Sequence, residues 1–226
     1  METPLHKRTL TLLILAIAFS LAVLSDSRRE QDKELLGKAI EYYQGRKYHE
    51  CILTFERLRR HYQLNPRFTA YLGFSYYKEH QYEEAVACLR EGIPSLSVYS
   101  PREQAVYLYA CAESLFLLGQ YSEALPYYTQ ALPMVSGCDA ADVNYHMGFA
   151  YYMQMPPDTY SAYQHLTTAN EQYVVASQHS PLDELHSARL AQTTTMLRAL
   201  KQYFEPTDTV LTDTIPTDTL TEVKNP

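Results

Sequence analysis

Gly73-Phe74-Ser75-Tyr76-Tyr77-Lys78-Glu79-His80-Gln81-Tyr82-Glu83-Glu84-Ala85 is the stretch on which the fold of this 226-residue chain turns. It sets out a small residue, a tyrosine doublet, a short polar interval, and then an aromatic, two polar residues and a second small residue. The same order returns on both sides. Its second half recurs as Tyr48-His49-Glu50-Cys51 and as Tyr121-Ser122-Glu123-Ala124. Its first half recurs as Ala39 with Tyr42-Tyr43, Ala112 with Leu115-Phe116, and Gly148 with Tyr151-Tyr152. From Cys51 to Ala85 is 34 residues and from Ala85 to Ala124 is 39, so five extra residues fall in the second interval, around Ser95 to Pro101. A repeat of this length holds two helices, and one such pair cannot bury both of its apolar faces, so each unit needs a neighbour.

The pattern resembles the signature of the tetratricopeptide repeat (TPR) family, over roughly residues 31–180. The first helix of that signature carries a bulky residue, a small one and an aromatic; the second carries aromatic, small, aromatic and small residues. Second-helix matches here are Phe55 with Leu58, Leu89 with Gly92, Tyr128 with Ala131, and Leu166 with Ala169. The resemblance implies an all-α, right-handed superhelical solenoid of about four helical hairpins plus a C-terminal capping helix, occupying residues 31–205. In the fourth unit Met155-Pro156-Pro157-Asp158 replaces the tight Gly-containing turn, which delays its second helix to near Thr159. Gly73 and Gly148 occupy the position of closest helix approach, and Gly45 and Gly119 fall at turns between paired helices. Gly37 has no place in this scheme. Ser180-Pro181-Leu182-Asp183-Glu184 reads as the start of the capping helix, from about 181, with Ser180 as its N-cap and Pro181 in the first turn.

The two ends follow other rules. Thr9 to Ser25 is uncharged and rich in Leu, Ile, Ala and Val, with His6, Lys7 and Arg8 before it, so residues 1–26 read as a signal peptide or a signal-anchor. Its 17 positions suit either reading, and Arg28, Arg29 and Lys33 beyond it compete with Lys7 and Arg8 in setting orientation. The expected location is the cell envelope, periplasmic or membrane-anchored, with membrane contact through this segment if it is uncleaved. Residues 206–226 repeat Thr-Asp-Thr with an aliphatic residue at a five-residue period and show no helical or strand stripe, which reads as a disordered tail. Asp-Thr followed by an aliphatic residue resembles the acceptor motif of a bacterial general O-glycosylation system. That resemblance marks Thr209, Thr214 and Thr219 as glycosylation candidates beside the plainer reading of a solvated spacer.

Carried onto this chain, the concave face of a TPR array is lined by first-helix positions spaced four and three apart. These are Leu36, Ile40 and Tyr43; Ala70, Phe74 and Tyr77; Tyr109, Glu113 and Phe116; Tyr145, Phe149 and Tyr152. The candidate partner-binding groove is therefore Tyr43, Phe74, Tyr77, Tyr109, Phe116, Tyr145, Phe149 and Tyr152, suited to apolar or aromatic side chains of a protein or peptide. The competing reading is that these rings fill the groove by packing on one another and on the cap. Leu36, Ile40, Ala70 and Phe74 stand where the co-chaperone type of TPR clamp places Lys and Asn, which disfavours a receptor for chaperone tails.

Composition narrows the function further. A net charge of -7 removes the electrostatic attraction on which nucleic-acid binding depends. No Gly-rich phosphate loop, GxSxG turn or CxxC spacing occurs, so no catalytic residue, metal ligand or cofactor is expected. Cys88 and Cys111 fall on neighbouring helices, where an exported chain could form a disulfide, against the favoured reading that the cysteines are small buried thiols. The functional expectation is a protein–protein interaction scaffold. The alternatives are an assembly protein that oligomerises through its solenoid ends, or an enzyme with a deep polar site of His and carboxylates between repeats.

Overall fold

The structure, a computed structural model, describes residues 28–204. The uncharged N-terminal run and the Thr/Asp repeats, including Thr209, Thr214 and Thr219, lie outside the described residues. Among those described there are helices and no strands. Helix α1 covers residues 28–44 and is followed by α2 (Tyr48–Arg59), α3 (Pro66–Lys78), α4 (Tyr82–Gly92), α5 (Pro101–Leu117), α6 (Tyr121–Ala131), α7 (Cys138–Met153), α8 (Thr159–His179) and α9 (Glu184–Lys201). Consecutive helices pair in order, and the first helices of successive hairpins also touch, α3 with α5, α5 with α7, and α7 with α9. The solenoid expected from the repeat is thus the observed architecture.

Close approach within the second and fourth hairpins rests on a missing side chain. A Cβ on Gly73 would stand 2.8 Å from Leu89 Cγ, and one on Gly148 only 2.6 Å from Leu166 Cγ, closer than carbon atoms can approach. First and second helices therefore meet backbone to side chain at these points. Between them runs one continuous apolar core from Ala39 to Ala150, in which Phe55, Leu72, Leu89, Leu115 and Tyr128 are fully enclosed. Beyond α7 the core divides: Ala141, Ala169 and Tyr173 form one cluster, and Ala162, Leu166 and Leu200 another, both involving the last helices.

The first three hairpins turn in the same way. Lys47, Gln81 and Gln120 each donate a backbone N–H to the carbonyl five residues back, on Tyr42, Tyr76 and Leu115, at 2.8, 2.9 and 2.9 Å. The residue before each donor is left-handed: Arg46 (φ 57°), His80 (φ 60°) and Gly119 (φ 74°). Only the third turn places glycine at the position that favours it. Gly45 lies one residue early, and Arg46 carries the strain instead.

The interval that holds the extra residues contains a 3₁₀ helix, Ile93–Val98, that buries Leu96 before Ser100 caps α5, accepting from Glu103 N–H at 3.3 Å. Helix α8 begins at Thr159, where Asp158 accepts from Ser161 N–H at 2.9 Å. At the last helix the structure departs from the sequence expectation. Ser180 closes α8, its N–H reaching Ala176 O at 3.2 Å, and the N-cap of α9 is Asp183, which accepts from His186 N–H at 2.8 Å. The intervening Leu182 packs against the Tyr173 cluster, which draws the chain inward before the helix restarts.

Two glycine substitutions separate packing from propensity. Gly148→Ala forces Leu166 aside and lowers the unfolding free energy by about 2 kcal/mol. Gly37→Ala, whose Cβ meets nothing within 4 Å in the middle of α1, raises it by about 0.5 kcal/mol. Urea denaturation of the two variants against the wild type reads both signs.

Candidate functional site

The eight rings expected to line the concave face all project from first helices. Tyr43, Phe74, Tyr77, Tyr109, Phe116, Tyr145 and Phe149 are half-buried, and Tyr152 is exposed. They do not form one bare wall. Tyr43 stacks on Tyr71 with centroids 4.0 Å apart and meets Phe74 edge-on at 6.0 Å, while Phe74 contacts Tyr48, Tyr77 and Tyr107. At the other end Tyr145 lies 4.8 Å from Phe149 and 4.9 Å from His146, and His146 also takes edge contacts from Tyr109 and Phe116. Two aromatic clusters thus share the face, one on α1, α3 and α5, the other on α5 and α7. Tyr152 makes no ring contact among those of the described residues.

Cations stand on these rings. Lys78 Nζ sits 5.2 Å from the Phe74 centroid and 5.0 Å from that of Tyr77, and the Arg189 guanidinium 5.3 Å from Tyr145. Between α7 and α9 the face opens into a cavity of about 470 Å³ lined by Tyr145, Phe149, Gln192, Thr195 and Met196. The capping helix meets these two rings directly: the Tyr145 hydroxyl donates to Gln192, and Phe149 and Met196 pack against the same apolar cluster.

Behind the second cluster lies a polar chain that the repeat pattern did not single out. The Tyr128 hydroxyl donates to Glu113, whose Oε1 is 3.0 Å from His146 Nδ1, off the line that a hydrogen bond requires. Arg189 reaches from α9 to His146 Nε2 at 3.1 Å and to Asp142 Oδ2 at 2.5 Å. Asp142 also accepts from the Tyr173 hydroxyl and lies 3.5 Å from His186 Nε2. Because the guanidinium donates to Nε2, His146 is neutral there; burial and the nearby Arg189 push it down to about 3. Burial pushes Glu113 up to about 7, against the hydrogen bond from Tyr128 and the charge of Arg189. His and carboxylate between repeats were the sequence mark of an enzymatic site, yet Glu113 and His146 are enclosed, with side chains 9% exposed. What the chain of contacts does is join α5, α6, α7 and α8 to the cap.

Glu113 had a place on the concave stripe and Tyr128 on the packing stripe. His146 is one residue from Tyr145, so its inward aim could have been read from the helical angle between them. Arg189 lies 43 residues further on, where no periodicity connects it to His146. Cys51, Cys88, Cys111 and Cys138 are free thiols, so the disulfide alternative for Cys88 and Cys111 is not formed; the first three are buried, and burial pushes Cys51 and Cys88 up to about 11. Among the described residues no three His, Cys, Asp or Glu side chains are placed to hold a metal ion.

The two perturbed groups act on stability in opposite directions. His146, lowered from 6.5 when folded, withdraws stability as pH falls from about 6.5 toward 3; Glu113, raised from 4.5, withdraws it as pH rises from about 4.5 through 7. Between pH 4.5 and 6.5 they offset one another. Glu113→Gln removes the second effect, so unfolding free energy in the variant climbs with pH across this window, more steeply than in the wild type by about 1 kcal/mol per pH unit. Denaturant titrations at pH 5 and 6 measure the difference, and parallel slopes would refute the assignment.

The tetratricopeptide repeat family model matches residues 66–136, from the start of α3 to just beyond α6. No curated protein sequence matches the chain. Among solved structures, the apo form of RapI aligns with a TM-score of 0.55 and 15% identity over 77% of this chain, which spans 64% of RapI. MamA MSR-1 C2 aligns at 0.50 and 14% identity, covering 76% of this chain and 89% of that one. A Podosopora anserina protein of nearly identical TPR-like repeats aligns at 0.52 and 14% identity, covering 76% and 90%. At such identities the likeness is one of fold. The tetratricopeptide repeat match falls on the two central hairpins, and the helix pairs on either side stack in the same order, so the described residues form a helical solenoid whose central part, residues 66–136, matches that family.

Proposed function

We propose that this protein is a cell-envelope scaffold that holds a partner polypeptide on its concave face, with Tyr43, Phe74, Tyr77, Tyr109, Phe116, Tyr145, Phe149 and Tyr152 as the contact rings. TPR-type folds generally mediate protein–protein interaction, and that general role extends to this chain through its repeats. The observation that carries the finer reading is the half-buried state of seven of these rings on one side of the array, with Lys78 and Arg189 over them. Rings in this state have already lost conformational freedom, so a partner that covers them gains apolar contact at little further entropic cost. The apolar cavity beside Phe149 favours an aliphatic or aromatic anchor from the partner.

The envelope location rests on the uncharged run Thr9–Ser25 and on the Thr-Asp repeats. In this reading residues 1–26 are a signal peptide or an anchor, and the tail is a spacer bearing glycans at Thr209, Thr214 and Thr219. An intact mass equal to that of the bare polypeptide, on protein purified from its native host, would remove the glycan part.

The groove is tested by a photo-crosslinking residue placed at Tyr77, Phe149 or Tyr152, with Leu53 on the exposed side of α2 as the control. One partner is expected to label from the first three positions and not from the fourth, and Tyr77→Ala with Phe149→Ala to weaken its binding by tenfold or more, about 1.4 kcal/mol. Equal labelling from Leu53, or unchanged binding in the double variant, would sink the groove.

A further inference from the structure

The array has another apolar hollow, at its first-helix end, where Leu36, the first position of the concave stripe, forms one wall. It lies at the edge where α1 begins, α2 ends and α3 starts, and encloses about 280 Å³. Leu36, Leu58, Leu64 and Phe68 form its walls, and Arg29 and Lys33 stand at its rim. Its one anionic lining residue, Asp32, is engaged, accepting from the Tyr62 hydroxyl at 2.7 Å.

Charge at this edge is one-sided in availability. Of its carboxylates, Glu30 pairs with Lys33, Glu34 with Lys38, and Glu56 with Arg59. Arg28, Arg29, Arg57 and Arg60 make no ion pair among the described residues. Arg29 thus offers the rim a guanidinium without a carboxylate partner, and Leu36, Leu58, Leu64 and Phe68 give the hollow an apolar interior.

The position of the hollow along the chain selects its occupant. The uncharged run Thr9–Ser25 ends four residues before Arg29. Whatever path those residues take, they span at most about 14 Å. If the run lies in a bilayer, the rim is held at headgroup depth, where anionic lipid concentrates basic groups. We propose that this edge is a lipid-binding surface: an anionic glycerophospholipid sets its phosphate against Arg29 and its neighbours and inserts one acyl chain among Leu36, Leu58, Leu64 and Phe68. The inference rests on the membrane-anchored form of the reading above and is independent of what the concave groove holds.

The full chain, reconstituted in vesicles of phosphatidylcholine or of phosphatidylglycerol, is photolysed with a trace phospholipid that carries a diazirine midway along one acyl chain. Labelled peptides are then mapped by mass spectrometry. Label is expected on α1 and on residues 62–68, at least about fivefold more in phosphatidylglycerol. Leu64→Glu should abolish it there. Should that variant fold poorly, Arg29→Glu with Arg60→Glu leaves the walls intact and should remove the preference for phosphatidylglycerol. Label confined to residues 9–25 in both lipids overturns the hollow as a lipid site and leaves anchoring standing. Label nowhere on the chain overturns anchoring and this proposal with it.

Discussion

Everything in this molecule depends on how closely two antiparallel helices can approach. At Gly73 and Gly148 the facing leucines occupy the space where a side chain would begin, so helix axes come near enough for large rings elsewhere to interlock. The chain has no Trp and 21 Tyr, and the tyrosines serve two purposes at once. Their rings fill the gaps between hairpins, and their hydroxyls satisfy carboxylates that the same packing encloses, as Tyr128 does for Glu113 and Tyr173 for Asp142.

That double use explains where the array changes character. From Ala39 to Ala150 the interior is continuous and apolar. At α7 two smaller apolar clusters take over, and the polar chain from Glu113 through His146 to Arg189 crosses the joint. An enclosed ionic contact adds little net stability, because desolvating the partners offsets their attraction. Its effect is on specificity: leaving Asp142 or Arg189 unpaired is strongly unfavourable, so α9 has one acceptable seat. The exit of the array is thereby fixed in angle, and with it the far wall of the concave face.

Legibility in the sequence followed the range of the interaction. The 34-residue spacing, the extra residues before Pro101 and the delayed start at Thr159 are local patterns, and each matches the structure. The cap of α9 was misplaced because two cap-forming residues lie three apart, and Ser180 is consumed in ending α8, whose length no local pattern reveals. The left-handed strain fell on Arg46 and not on its glycine neighbour because the bond from Lys47 to Tyr42 fixes the turn, and the residue there conforms to it. That the eight rings all stand on first helices was readable from their spacing. Their division into two clusters was not, since it depends on Tyr71, Tyr107 and His146 entering from the flanks.

The insertion that buries Leu96 has an effect on assembly as well as on shape. A perfectly periodic array can mispair, one hairpin docking on the wrong neighbour with almost no loss, and such slippage is a common hazard for repetitive chains. Here the interruption works like an off-centre notch on a key. The 3₁₀ segment packs on α3 and α4 of the second unit and on α5 of the third, so an out-of-order stack would leave the buried Leu96 in water and a void behind it.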